Sequence, residues 1–249
     1  MVHCELNIVH CLAVLAYDGT DFQGFQIQKN GRSVQQELEH ALYDFGKARV
    51  KTVGGGRTDA GVHAQGQTAS FELEWSRDLE TFKRALNAKL PNDIFVRRVT
   101  EVDTKFSARY SATSRVYTYR VWNQSERDVF RTRYAHWIPE RLDVTAMQRA
   151  AQQLVGEKDF SAFGTPPQGN NPVRNLMRAE VECVGDEMSL TFEANAFLYR
   201  MVRRMVGTLL LVGRGILAPD EMENVIQRKR RSGFSAPPQG LTLMEIKYA

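Results

Sequence analysis

Apolar and polar positions alternate along the chain in blocks whose periods switch between those of strands and helices. Residues 6 to 17, LNIVHCLAVLAY, are mostly apolar and read as a buried strand. Asp18-Gly19 ends it in a turn, and a polar loop, TDFQGFQIQKNGR, follows. Ser33 then opens a helix with Gln36 at the capping-box position, an apolar stripe of Val34, Leu38, Ala41, Leu42 and Phe45, and Gly46 as its stop. Residues 50 to 53 resume an extended run, and Gln67 to Leu73 form another strand. Ser76 is placed to cap a second helix facing inward through Leu79, Phe82, Leu86 and Leu90; Pro91 ends it, and Ile94 to Val102 returns as a strand.

The second half repeats this order loosely. Arg115 to Asn123 is a strand with Tyr117, Tyr119 and Val121 on one face. Asp143 caps a helix bearing Val144, Met147, Ala151 and Leu154, which Gly156 ends. Residues 164 to 175, GTPPQGNNPVRN, have loop composition. Arg178 to Val184 and Ser189 to Ala194 suggest a hairpin across Gly185-Asp186. Phe197 to Val212 reads as an apolar helix studded with arginine, Asp220 to Gln227 as a short helix, and Leu241 to Tyr248 as a closing strand. The tandem order strand, helix, strand, strand, helix, strand predicts a duplicated ferredoxin-like (βαββαβ) α+β fold. The halves divide as residues 1–104 and 105–249, with the natural site in the groove where they meet.

Composition narrows the class. The chain has 249 residues, 43% hydrophobic and 25% charged, as in a soluble globular protein with a sizeable core. Net charge of +4 and a pI near 9.0 permit an anionic partner without demanding one. Three cysteines, Cys4, Cys11 and Cys183, make no disulfide framework. With no signal-peptide pattern and no apolar run long enough to span a bilayer, a cytoplasmic protein without membrane association is expected. His3 and Cys4 lie one short strand from His10 and Cys11, but their spacing matches no standard zinc pattern, so no metal is expected.

The stretch GGGRTDAGVHAQGQ, residues 54 to 67, is where chemistry concentrates. It lacks the Gly-x-x-x-x-Gly-Lys-Ser/Thr of a phosphate loop. It also carries Asp59 where a dinucleotide fingerprint needs its third glycine. By residue type alone it is a tight turn whose aspartate bonds to nearby backbone N–H groups.

A longer pattern changes that reading. GRTDAGVHA (56 to 64) joins YDGTDFQGFQ (17 to 26), ALN-x-x-LP (85 to 91), FSAR (106 to 109) and RVYTYRVWN (115 to 123). LVGEKDFSAF (154 to 163), FLYRMVRRMVGTLLLVG (197 to 213) and QGLTL (239 to 243) follow in order. Through these stretches the chain resembles the tRNA pseudouridine synthases of the TruA family over nearly its full length. The resemblance implies the pseudouridine synthase fold, with a continuous, mostly antiparallel sheet and a central cleft. It also implies isomerisation of uridine to pseudouridine in the anticodon stem-loop, at the family-typical tRNA positions 38, 39 and 40. No cofactor is implied, since the reaction has no net redox change; a homodimer is.

Residue by residue, the resemblance makes Asp59 the nucleophile, a role suited to a carboxylate that forms a transient covalent bond. A nucleophilic carboxylate must stay ionised while shielded from water, which an adjacent cation favours. The matching family position for that cation is Arg203, which Met201, Val202, Met205 and Val206 flank in sequence. Tyr117 matches an active-site tyrosine whose ring can stack on uracil. Without the resemblance, it is an ordinary strand tyrosine. Arg57 matches a motif arginine that fills the space left by the flipped base or grips a phosphate. Glycines in the motif let RNA backbone approach closely.

The RNA surface is assigned more broadly. Residues 197 to 231 hold eight basic residues against three acidic ones, and the run Arg228, Lys229, Arg230 and Arg231 reads as a phosphate-binding strip or a solvated helix end. Gln23 and Phe25 in the loop 19 to 32, Arg174 in the loop 164 to 175, and Arg109 in FSAR are candidate contacts. His63 is read as structural. Members of the family commonly have an aromatic residue after Gly-Leu near the C-terminus; here Thr242 follows Gly240-Leu241, and Leu241 is left to pack beneath the base. The rival functions are a non-catalytic tRNA-binding or tRNA-folding protein of the same fold, and a metal hydrolase built on Asp59 and His63. The first should have lost part of the set Asp59, Tyr117 and Arg203. The second lacks a further ligand cluster.

Overall fold

The computed structural model describes residues 8–46, 49–167 and 169–249, which form two compact units. The first runs to Thr113 and takes in Leu243–Ala249; the second is Ser114–Thr242. Positions 6 and 7 of the expected first strand, and His3 and Cys4, lie outside the described residues.

In the first unit the order is β1 (Ile8–Tyr17), α1 (Val34–Gly46), β2 (Val53–Gly54), β3 (His63–Glu74), α2 (Leu79–Asn87) and β4 (Ile94–Glu101). Strand β1 is antiparallel to both β3 and β4, and β2 is antiparallel to β3. The resulting order, β4-β1-β3-β2, is the arrangement a βαββαβ unit adopts when each helix crosses over one intervening strand. Cys11, Ala13, Leu15 and Tyr17 alternate into the core opposite Phe71 and Ala69. The helices cover that face with Val34, Leu38 and Leu42 from α1 and Phe82 and Leu86 from α2; the Phe71 and Phe82 rings lie 6.2 Å apart. Ser33 Oγ accepts from Gln36 N at 3.3 Å, as its position predicts. The second cap is Asp78 rather than Ser76. Its Oδ1 accepts from Thr81 N at 2.7 Å, since the helix begins at Leu79.

The segment 19 to 32, polar by composition and exposed over much of its length, sends two phenylalanines into the core. Phe22 and Phe25 are each 2% exposed, and Arg32 lies over the Phe22 ring at 4.2 Å while gripping Asp93 with both terminal nitrogens, at 2.6 and 3.0 Å. Gln23 N donates to Arg32 O at 2.8 Å and closes the loop at its base.

The second unit contains most of β5 (Ala112–Trp122), then β6 (His136–Trp137), α3 (Val144–Gln152), β7 (Gly156–Asp159), β8 (Val173–Val184), β9 (Glu187–Ala194) and α4 (Met201–Gly213). After a 3-10 turn at Pro219–Glu221 come α5 (Met222–Ile226), a second 3-10 turn at Pro238–Gly240 and the start of β10 (Leu241–Tyr248). The strand order is β5-β9-β8-β7, with β6 parallel to β5. Asp143 caps α3 by accepting from Ala146 N at 2.8 Å.

Two elements differ from their expected limits for identifiable reasons. Strand β8 starts at Val173 rather than Arg178, because β7 pairs with it from Asp159↔Val173 to Gly156↔Leu176 and extends the ladder into the expected loop. Helix α4 starts at Met201 rather than Phe197, because Arg200 adopts a left-handed conformation (φ 61°) that a helix cannot propagate.

The boundary between the units lies at 113/114 rather than 104/105. Ala108 N donates to Ser70 Oγ at 3.1 Å, Tyr248 Oη to Ala108 O at 2.8 Å and Thr113 Oγ1 to Lys247 O at 3.1 Å. These bonds tie residues 105–113 and the end of β10 to the first unit, where β10 lies beside β3. No helix among the described residues is long and apolar enough to cross a membrane.

Candidate active site

Asp59 sits in the loop between β2 and β3, half-buried, with Arg57 exposed two residues before it. The loop backbone is held from several sides. Phe25 N donates to Thr58 O at 3.2 Å, Gly61 N to Phe22 O at 3.3 Å, and Val62 N to Asp59 O at 3.2 Å. Gln67 Nε2 donates to Gly56 O at 3.1 Å, and Tyr17 Oη lies 2.8 Å from Thr58 Oγ1. His63, 4% exposed, opens β3 beneath the loop; its Nδ1 accepts from Gly19 N at 3.0 Å and lies 3.1 Å from Asp18 Oδ1.

The glycines serve this seating. A Cβ on Gly55 would lie 2.2 Å from Thr68 Oγ1, and one on Gly24 (φ +101°) would lie 2.5 Å from Thr58 O. The close approach at Gly55 is therefore to the protein's own β3, a use the motif alone did not disclose.

In the second unit Tyr117 is buried on β5, its ring edge-on to Phe197 at 5.2 Å. Tyr119, on the same strand face, donates to Pro237 O at 2.9 Å; burial pushes its phenol well above the usual range, with Arg203 nearby acting in the opposite direction. Arg203 projects from α4, otherwise mostly buried around it. Its Nε donates to Ala236 O at 2.7 Å, and Ala236 N returns a bond to Arg203 O at 3.0 Å. A strap, residues 233–237, thus spans from Arg203 to Tyr119.

The broader contact set divides. Phe25 is withdrawn as an RNA contact: its ring is packed into the core, 6.5 Å from the Tyr17 ring and stacked with it. Gln23 is exposed on the same loop. Leu241 is 5% exposed at the start of β10, and Thr242 is buried beside it. Arg109 is half-buried, its guanidinium 5.4 Å from the Tyr110 ring. Arg228, Lys229, Arg230 and Arg231 are all exposed, Arg228 in a left-handed conformation and Arg230 paired with Glu221. Arg174 is half-buried; its Nη1 donates to Asn171 O and Val173 O, and burial lowers its pKa.

Comparison with known proteins decides the family. A family model described as tRNA pseudouridine synthase matches residues 13–111 and 150–249. A protein of Geobacillus kaustophilus named tRNA pseudouridine synthase A is 43% identical over 94% of this chain and 93% of its own length. The chain belongs to the tRNA pseudouridine synthase family. Proteins of the same name from Pseudothermotoga lettingae (42% identical, over 95% of this chain and 98% of theirs) and Brevibacillus brevis (43%, over 94% and 98%) resemble it equally.

Within this synthase-family chain, the residues that motif reading passed over are those beneath the loop: Tyr17, Thr58 and Gln67. A signal for one of them was present. Gln67 shares its alternation phase in β3 with Ala69, Phe71 and Leu73, and so occupies a core-facing position that strand periodicity reserves for apolar side chains.

Proposed function

We propose that this tRNA pseudouridine synthase family member isomerises uridines on the 3′ side of the anticodon stem-loop, with Asp59 as the nucleophile. The bond from the ribose C1′ to uracil N1 breaks, a C1′–C5 bond forms, and a proton leaves C5 while one arrives at N1. The carboxylate bonds transiently to the nucleotide, at ribose or base, and leaves again, so no oxidant or reductant is consumed. Tyr117 stacks on the everted uracil, and the Arg203 guanidinium supplies the positive charge that the reaction needs. Arg57 takes the space of the flipped base or a backbone phosphate. Arg228, Lys229 and Arg231 bind phosphates, with Gln23, Arg109 and Arg174 as further contacts and Leu241 beneath the base. The enzyme acts in the cytoplasm as a homodimer.

The observation that carries this reading is identity above 40% with named synthases across at least 94% of the chain. The intact GRTDAGVHA loop lies within that stretch. The test is incubation with unmodified tRNA transcripts, without cofactor, followed by chemical mapping of pseudouridine. The wild-type chain forms pseudouridine; Asp59→Asn forms none and still binds tRNA. Turnover by Asp59→Asn refutes the nucleophile assignment. Binding without turnover by the wild type favours the non-catalytic alternative.

A further inference from the structure

The hydrogen-bond directions beneath the Asp59 loop can be assigned from one fixed donor. Thr68 N donates to Gln67 Oε1 at 3.0 Å, and a backbone N–H can only donate. The Gln67 amide is thereby oriented with its NH2 group toward Gly56 O at 3.1 Å and Tyr17 Oη at 3.4 Å. The opposite amide orientation would set donor against donor and carbonyl against carbonyl. Tyr17 Oη therefore accepts from Gln67; either hydroxyl can donate across the 2.8 Å contact with Thr58 Oγ1, and Tyr17 donating is the direction that also gives its buried hydrogen an acceptor. Tyr17 and Gln67 are buried, and burial pushes the Tyr17 phenol up to about 12, so it keeps that hydrogen across the working pH range. The hydroxyl of Thr58, a buried residue, is in that arrangement an acceptor from Tyr17. Its own hydrogen is turned away, toward an acceptor that the described residues do not supply.

We propose that Thr58 donates this hydrogen to an oxygen of the target nucleotide beside Asp59, and that Tyr17 and Gln67 are positioning residues that orient it. This rests on the synthase reading above. A hydroxyl held by a buried tyrosine that Gln67 in turn holds is ready to donate without reorganising when the nucleotide arrives. A threonine free to rotate would spend part of its time bonded elsewhere.

The test uses the full chain and an unmodified tRNA transcript, with single-turnover rate, tRNA affinity and melting temperature read for each variant. Thr58→Val keeps shape and loses the donor; its rate falls by about 10- to 100-fold with affinity within about twofold of wild type. Thr58→Ser keeps the hydroxyl and restores most of that loss. Tyr17→Phe slows the reaction by about 3- to 10-fold, and the Tyr17→Phe/Thr58→Val double variant is no slower than Thr58→Val alone, since Tyr17 acts through Thr58. A Thr58→Val enzyme with wild-type rate, or additive losses in the double variant, overturns the proposal. Should Thr58→Val fail to fold, Tyr17→Phe carries the test alone, and a wild-type rate there overturns it. These failures leave wild-type turnover and Asp59→Asn inactivity intact, whereas a wild-type chain that makes no pseudouridine refutes the synthase reading itself.

Discussion

The Asp59 loop and the Arg203 helix solve the same problem, holding a charged side chain still, by different means. The loop has no regular ladder of its own. It borrows a seat from neighbours: the carbonyls of Gly56 and Thr58 are taken by Gln67 Nε2 and Phe25 N, and the Thr58 hydroxyl by Tyr17. Arg203 stands on α4, a regular helix, and the strap adds bonds between Arg203 and Ala236 in both directions. A loop without a ladder of its own therefore makes demands on distant residues, whereas a helix carries a residue on a backbone that is already regular. Most of the buried polar side chains, Ser33, Thr52, Thr58, His63, Gln67, Thr68 and Ser70, belong to the first unit, whereas Ser114, Thr208 and Thr242 belong to the second.

That contrast can be broken at either end. The largest effect is expected from Arg203→Ala, which removes the charge and leaves α4 standing: the single-turnover rate falls by roughly a hundredfold or more with a melting temperature close to wild type. If tRNA affinity alone suffers, Arg203 is a binding residue and the comparison fails on that side. Next is Gly24→Ala, far from the motif in sequence. It forces a Cβ onto Thr58 O at a left-handed position and is expected to cost about 2 kcal/mol of stability. Activity should fall with it, because the Asp59 loop loses its seat. Denaturant unfolding and the rate assay read both, and a stable, active Gly24→Ala chain would show that the loop holds itself. The smallest effect concerns the exposed run. Changing Arg228, Lys229 and Arg231 to glutamine should weaken tRNA binding and lower the slope of log affinity against log salt by about 0.7 to 0.9 per lost phosphate contact. Arg230→Gln alone should change the slope least, because Glu221 already neutralises it. An unchanged slope in the triple variant would place the phosphates elsewhere.

How much was legible follows from how locally each feature is encoded. Helix α1 with its Ser33 cap and closing strand β10 could be read from periodicity, because core-facing positions recur within a few residues. The two-residue strand β6 and the four-residue β7 could not, being shorter than any period. Phe25 was misread because a loop rich in Gln, Asp and Gly looks solvated. Only the fold reveals that Gly24 turns the chain so that the phenylalanines on either side enter the core. The GRTDAGVHA motif that points to the family was legible because it is contiguous. The bond between Tyr17 and Gln67, 50 positions apart, was not, since nothing in one stretch announces a partner in the other.

By itself the sequence determined the order of elements and the family, both carried by short stretches read in line. Tertiary structure alone decided which polar side chains lie beneath the Asp59 loop, which aromatic residues are core rather than surface, and where one unit ends. Hydrogen bonding and burial depend on neighbours in space, and in this chain those neighbours come from strands dozens of residues apart.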